Sequence, residues 1–355
     1  MMTKLPPAAQ WCIVAAASAL LAMGLHAARF PAPLLFGPMV AGILMGTNGG
    51  TIRLPRPAFL AAQSAIGCLI ATTITPPIVA SFVRSWPIVL GVVFASVGVS
   101  SVLGWLLTRW GGLPGTTGVW GSSPGAASAM VVMAEAFGAD VRLVAFMQYL
   151  RVVCVVLVAS VIARFWVPFP GAVTQEIVWF PHVHWPSLAG TVAIAGVGAF
   201  AGRLLRIPGG ALLVPLVTGA VLHWSGGVSI ELPEWLLAAV YASIGWKIGL
   251  GFTLEVLQYA SRALPKILLS IAVLIAFCGG LAFVLTRVFG VDPLTAYLAT
   301  SPGGIDSVAI IAASSKVDLP FVMAFQTVRL FIVILIGPTF AGIVARRMLG
   351  KIESC

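Results

Sequence analysis

The stretch Gly121-Ser122-Ser123-Pro124-Gly125, with Asp140, Gln148 and Arg151 behind it, reappears as Ala299-Thr300-Ser301-Pro302-Gly303, with Asp318, Gln326 and Arg329 behind it. The two sets keep the same spacing throughout, 178 positions apart (302 against 124). Upstream the correspondence continues at an offset of 177, where Arg29, Pro31, Pro38, Gly42, Gly49 and Gly50 align with Arg206, Pro208, Pro215, Gly219, Gly226 and Gly227. The chain therefore reads as one unit written twice, roughly over residues 9 to 165 and 186 to 346. This divides it into a first membrane repeat (1–165), a linker (166–185) and a second repeat (186–355).

Composition sets the solvent of those repeats. With 60% AVILMFWYC and 8% DEKR, the chain has too few charges to cover a water-soluble globule, which uses about a quarter charged residues. Apolar runs of about 15 to 25 residues are separated by short breaks of Arg, Pro and Gly, which fits spans of roughly 20 residues. Strand-like alternation is absent, so a β-barrel is not expected. Twelve apolar segments are counted, six per repeat. The predicted fold is an all-α polytopic membrane protein with about 10 to 12 membrane segments.

Basic residues discriminate between topologies, because short cytoplasmic loops are enriched in Lys and Arg. If the fifth segment of each repeat, holding Ser-Pro-Gly, enters and leaves on one side, the repeats are inverted and each has five spanning helices. With the N-terminus inside, the cytoplasmic side then collects Lys4, Arg53, Arg56, Arg109, Arg142, Arg203, Arg206, Arg262, Lys266, Arg346, Arg347 and Lys351. Only Arg29, Arg84, Arg164, Arg287 and Lys316 fall outside. If all twelve segments cross, the asymmetry disappears. The net charge of +10 is explained by topology, and no nucleic-acid partner is expected.

Inverted repeats with broken or re-entrant helices are a recurring plan of secondary transporters, with the binding site near midplane. Pro124 lacks an amide hydrogen and Gly125 accepts any backbone conformation, so Ser122 to Gly125 should interrupt a helix that restarts at Ala126. Thr300, Ser301, Pro302, Gly303 and Gly304 make the same break in the second copy. Each restarted helix would point an N-terminus at its break, and the pair would form an anion cradle. A kink serving only packing is the bland alternative; duplication of the tripeptide ahead of a polar helix favours a site.

Candidate substrate-binding residues are Ser122, Ser123, Pro124, Gly125, Gln148 and Arg151 with Thr300, Ser301, Gly303, Gly304, Gln326 and Arg329. Gln148 and Gln326 precede their arginines by one turn on the same face. The guanidinium forks could grip a substrate carboxylate, neutralise Asp306, or cap broken-helix carbonyls of the neighbouring copy. Asp306, whose counterpart is Ser128, is an expensive carboxylate at membrane depth and the candidate ion-coupling residue, with Ser128 and Ser307 as partners. Asp140 and Asp318 stand just before a helix and read as N-caps. Cys12, Cys68, Cys154, Cys278 and Cys355 show no paired spacing. His182-Val183-His184 is the sole metal-like pair, without a third ligand nearby in sequence. No metal or cofactor is expected.

The runs GPMVAGILMG from Gly37, GSSPGAASAM from Gly121 and TSPGGIDSVAI from Thr300 resemble the bacterial AbrB-type membrane duplication family over nearly the whole chain. That family is similar in plan to the group of bile-acid symporters, glutamate and citrate carriers and sodium-proton antiporters. The resemblance implies a core domain moving against a scaffold, and a homodimer. Family members have carried labels such as ammonia monooxygenase and regulator of gene expression. No copper or iron ligand cluster supports the first, and no DNA-binding motif supports the second; the soluble DNA-binding regulator of similar name is a different protein. The expectation is a multi-pass inner-membrane secondary transporter, not an enzyme, with both termini cytoplasmic. It would carry a small anionic solute coupled to protons or sodium, since no ATP-binding P-loop is visible. The competing expectation is a membrane solute sensor that regulates indirectly without transport.

Overall fold

In a computed structural model, residues 5–28, 32–72, 86–124, 130, 134, 137–166, 183–205, 210–313, 315 and 317–349 are described. Regular structure among them is helical throughout. In the first half of the chain the helices are α1 (Pro7–Ala27), α2 (Pro33–Thr47), α3 (Arg56–Ala71), α4 (Trp86–Trp110), α5 (Thr117–Ser122) and α6 (Val141–Trp166). In the second half they are α7 (Trp185–Leu204), α8 (Gly210–Trp224), α9 (Glu234–Gly249), α10 (Leu254–Ala260), α11 (Leu264–Phe289), α12 (Pro293–Thr300), α13 (Ile305–Ala313) and α14 (Leu319–Leu349). Proline stands in the first two positions of α1, α2, α3, α7, α11 and α12, where its missing N–H costs nothing and its fixed φ suits the first turn. Most of the linker lies outside the described residues.

Among the described residues six helices are long and apolar enough to cross a membrane, and a seventh span results if α9 and α10, bent by 49° at Leu250–Thr253, count as one. The apolar helices α2, α3 and α8 have 15, 16 and 15 residues. At 1.5 Å per residue they reach about 22 to 24 Å, short of a hydrocarbon core of roughly 30 Å. Burial identifies the surrounding medium. Only 22% of the α1 span is buried, and large apolar side chains such as Leu20, Phe200 and Leu335 are exposed. Such a surface would aggregate in water and is at home in lipid. The protein is a multi-pass membrane protein.

The chain folds into two compact units, each drawing helices from both halves of the sequence. The first unit takes Met1–Ser81, Ser160–Thr253 and Ala309–Pro320; the second takes Phe82–Ala159, Leu254–Val308 and Phe321–Cys355.

In the first unit, α1 packs on α2 and α7 on α8, while α2 packs on α9 and α3 on α8. The α2/α9 crossing is backbone against backbone. A Cβ added to Gly249 would stand 2.3 Å from the Met39 carbonyl oxygen, and one added to Gly245 would stand 2.6 Å from that of Leu35. The α3/α8 crossing has the matching feature, with a Cβ at Gly67 only 2.3 Å from the Leu212 carbonyl oxygen. Gly67 corresponds to Gly245 and Leu212 to Leu35, so the same contact is made twice with the donor copy exchanged. Lipid gives helices no hydrophobic reason to associate, so close van der Waals approach over small residues carries the packing. Beside this crossing, Val14, Ala41, Met45, Ile52 and Leu250 form a core flanked by Trp11 and Trp246. Trp11 therefore packs inward, its ring 5.4 Å from that of Trp246. Trp86, Trp110, Trp185 and Trp235 are exposed near helix ends, as an interfacial belt requires.

In the second unit, α4 packs on α5, α11 on α12, and α4 on α11. Gly104 and Gly118 bring α4 and α5 together: a Cβ on Gly104 would meet the Gly118 carbonyl oxygen at 2.8 Å. On the exposed edge, Arg142 pairs with Glu255 at 3.1 Å and Tyr259 donates to Asp140 Oδ2 at 2.6 Å.

Candidate functional site

The helical run is interrupted at Ser123–Pro124 and at Ser301–Gly304, both inside the second unit. α5 ends at Ser122, with Ser123 extended at ψ 121°. α12 ends at Thr300 and α13 begins at Ile305, leaving Ser301–Gly304 non-helical. Restart of the first copy, including Gly125 and Ser128, lies outside the described residues apart from helical Met130 and Ala134. A helix stopping at membrane depth leaves carbonyls without donors, each costing about 1 to 3 kcal/mol if buried and unpaired.

The Gln/Arg pairs meet that need. Gln148 Nε2 donates to the Trp120 and Ser123 carbonyls at 2.8 and 3.0 Å. Arg151 Nη1 donates to Ser122 and Ser123 carbonyls at 3.1 and 3.0 Å, and its Nη2 donates to Gln148 Oε1 at 2.6 Å. In the second copy Gln326 Nε2 donates to the Leu298 and Ser301 carbonyls at 2.7 and 3.3 Å. Arg329 donates to the Ser301 and Gly303 carbonyls at 2.5 and 3.1 Å and also to Gln326 Oε1. All four side chains are at most 3% exposed. Cations and donors suit the negative end of a helix, and the planar fork serves two carbonyls and one amide at once.

These contacts settle one of the open alternatives differently from expectation. The capped carbonyls belong to the same copy as the arginine, because α6 and α14 fold back along the hairpin arm that precedes them. The adjoining helices pin the junctions at matched positions. Ser100 Oγ donates to the Ser122 carbonyl at 2.6 Å, whereas Thr300 Oγ1 donates to the Cys278 carbonyl at 3.0 Å. Position 278 corresponds to 100 and 300 to 122, so the bond is conserved in place and reversed in direction. Nothing in the sequence marked Ser100 or Cys278, although reading the offset through α4 and α11 would have paired them.

The two arms also touch across copies. Tyr297 Oη donates to the Val155 carbonyl at 3.3 Å. A Cβ on Gly303 would stand 3.2 Å from Val155 Cγ1, and one on Gly304 would stand 3.4 Å from Val152 Cγ2. On the other side Trp120, fully buried, lies against Gly337 of α14, whose added Cβ would be 3.3 Å from the indole. Each broken arm is thus braced on the Gln/Arg helix of the opposite copy. Several buried donors here have no hydrogen-bond partner among the described residues: Nε of Arg151, Nε of Arg329, Oγ of Ser122 and Nε1 of Trp120.

Asp306 is the second residue of α13, and its side chain lies outside the described residues. Ser307 is buried in the first turn of the same helix. Asp140 is the N-cap of α6: its Oδ1 accepts from the amides of Arg142 and Leu143 at 3.0 and 3.1 Å. Asp318 stands immediately before α14. His184 contacts Ser187 Oγ through Nδ1 at 2.8 Å; its partner His182 is outside the described residues.

Fold and site together define a multi-pass helical membrane protein with paired, arginine-capped helix breaks in one unit. The chain belongs to the family described as "Transition state regulatory protein AbrB", which matches residues 34–345. It is similar to "Putative regulator AbrB" of Escherichia coli (strain K12), with 50% identity over 340 residues, 96% of this chain and 97% of the relative. It is also similar to "Uncharacterized protein YhjN" of Bacillus subtilis (strain 168), with 28% identity over 276 residues, 69% of this chain and 70% of the relative.

Proposed function

We propose that this chain is an inner-membrane secondary transporter, a symporter of a small anionic solute driven by a proton or sodium gradient. The observation that carries the reading is the pair of helix breaks braced on each other's Gln/Arg helices within one unit. Discontinuous helices at membrane depth are tolerated where they line a binding site or are satisfied by protein. Here the outer carbonyls are satisfied by Gln148, Arg151, Gln326 and Arg329. The remaining arginine Nε–H groups and Ser122 Oγ are buried donors without described partners, and unpaired buried donors attract functional explanation. The amides at the start of α13, behind Gly303 and Gly304, add partial positive charge.

Two inverted repeats of five spanning helices and two re-entrant segments, in 10 to 12 membrane segments, form the architecture of this proposal. The exchanged contacts Gly245–Leu35 and Gly67–Leu212 support a two-fold relation between copies, and the Lys/Arg asymmetry supports inversion. Solute would bind at Ser122, Ser123, Pro124, Gly125, Thr300, Ser301, Gly303 and Gly304, with Gln148, Arg151, Gln326 and Arg329 shaping the breaks from behind. Asp306 with Ser128 and Ser307 would hold the coupling ion. Alternating access at the repeat interface, a homodimer and cytoplasmic termini complete the picture.

Proteoliposomes containing only the purified chain, given radiolabelled mono- and dicarboxylates under an imposed proton or sodium gradient, test the reading. Gradient-dependent accumulation of one solute is expected. Saturable binding without accumulation would replace transport by solute sensing, the second reading, which the name "regulator" of the Escherichia coli relative favours. Neither binding nor uptake across the panel would remove the anionic-solute assignment.

A further inference from the structure

A groove of about 580 Å³ runs along the first unit between α3, α7 and α9. Its wall includes Leu60, Ala61, Val192, Ala195, Phe200 and Leu236. Val192 and Phe200 are 58% and 69% exposed, so the groove opens on the lipid-facing side of α7. From Thr191 to Arg203, both in the wall, α7 rises about 18 Å. That is close to the roughly 15 Å of one leaflet's hydrocarbon.

The two ends of the groove differ in charge. At one end Arg203 lines the wall and Pro57 places Arg56 beside it. Lys247 lies one turn beyond the lining residue Ser243 on α9, with Nζ 5.5 Å from the centre of the Phe59 ring. The Lys247 ammonium also feels the positive charges of Arg53 and Arg56. None of Arg56, Arg203 and Lys247 has a salt-bridge partner among the described residues, where the one ion pair is Arg142–Glu255. At the other end Thr191 Oγ1 accepts from the Glu231 amide at 2.9 Å, and the wall there carries no cation. An apolar slot one leaflet deep with cations at one mouth alone matches one ligand chemistry: a phosphate on an acyl chain.

We propose that this groove binds one anionic phospholipid, its phosphate held by Arg203, Lys247 and Arg56 and an acyl chain laid along α7 toward Thr191. A helix from a second copy would cover the apolar wall and leave the three cations unmatched, whereas the lipid satisfies both parts. The orientation follows from the cations, which gather at the Arg203 end and not at the Thr191 end.

The test is native mass spectrometry of the full chain in detergent, titrated with phosphatidylglycerol or with phosphatidylcholine of the same acyl chains. One phosphatidylglycerol adduct should persist at collision energies that strip phosphatidylcholine. Arg203→Gln combined with Lys247→Gln should weaken the phosphatidylglycerol adduct at least tenfold and leave phosphatidylcholine retention unchanged. A fold-sparing control fills the slot: Gly196 lines the groove and a Cβ added there meets nothing within 4 Å. Gly196→Leu should therefore lose the adduct while helical circular dichroism and melting temperature stay as in the parent. Equal retention of the two lipids, or unchanged phosphatidylglycerol binding in Gly196→Leu, would overturn the proposal. So would conversion of a dimer to monomer by Gly196→Leu without change in lipid binding, which would assign the groove to a second copy.

Discussion

Arg151 and Arg329 show how a side chain picked out as a ligand for something else can be spent largely on its own backbone. Each guanidinium serves two carbonyls and a glutamine oxygen, so its role depends on planar fork geometry as well as charge. Arg151→Lys should therefore fail as a conservative change: the ammonium can satisfy one or two of the three acceptors. The loss should be about 1 to 3 kcal/mol, read as a lower melting temperature in detergent, and Arg329→Lys should behave alike. An unchanged melting temperature in both would show the carbonyls to be satisfied elsewhere. Asp306 belongs to a different kind of test. Asp306→Asn should leave fold and solute exchange intact and remove gradient-driven accumulation, measured in proteoliposomes. Accumulation that survives would move the coupling ion to other residues. The sequence disclosed these residue types and their register, because rare polar groups stand out in an apolar chain. It could not disclose their partners, since the acceptors are main-chain carbonyls that carry no side-chain signature.

At the scale of elements, the breaks were readable because proline and glycine act locally, through a missing amide hydrogen and an absent Cβ. Pro124→Ala combined with Pro302→Ala should let both helices run on, abolishing solute binding while membrane insertion persists. Binding equal to the parent would reduce the motifs to packing kinks. The lengths of α2, α3 and α8 were less readable. An apolar run has the same hydropathy whether it crosses lipid or lies buried against another helix, so the apolar segment read over residues 58 to 80 extends past α3, which ends at Ala71. The segment over α9 reads as ending at residue 252, at the bend, and α10 goes unread because seven residues, Leu254–Ala260, are too short to register as a span. Gly249 also illustrates packing that sequence hides: its backbone meets α2 so closely that Gly249→Leu should destabilise the first unit by about 1 to 3 kcal/mol or more. Thermal unfolding in detergent would measure it, and parent-like stability would mean that α9 can shift away from α2.

At the scale of the whole molecule, charge orients the chain in the membrane. The Lys/Arg distribution predicts the linker outside and the C-terminus inside. Ser187 is buried and bonded to Ser229, which makes it a poor reporter, whereas Trp185 is 73% exposed. In a background without other cysteines, Trp185→Cys should react with an impermeant maleimide from the periplasmic side, and Cys355 only after permeabilisation. Labelling of both from one side would require an even number of crossings in the second repeat. The duplicated sequence announced two copies, yet it did not announce that the compact units would each mix them. Offsets reveal which residues correspond, and only long-range packing decides which of them become neighbours.

That mixing bears on the order in which the protein is made. Gly42 needs Gly249 against it, and Gly67 needs Leu212, so neither unit is complete when the first repeat leaves the ribosome. At roughly 5 to 20 residues per second, the partner of Gly42 arrives on the order of 10 to 40 seconds later. Over that interval α1 to α3 must wait in the bilayer with glycine faces open to any other membrane helix. Timing, as much as affinity, then decides whether the right neighbour is met, and the two halves of the gene product are obliged to be born from one message or in close company.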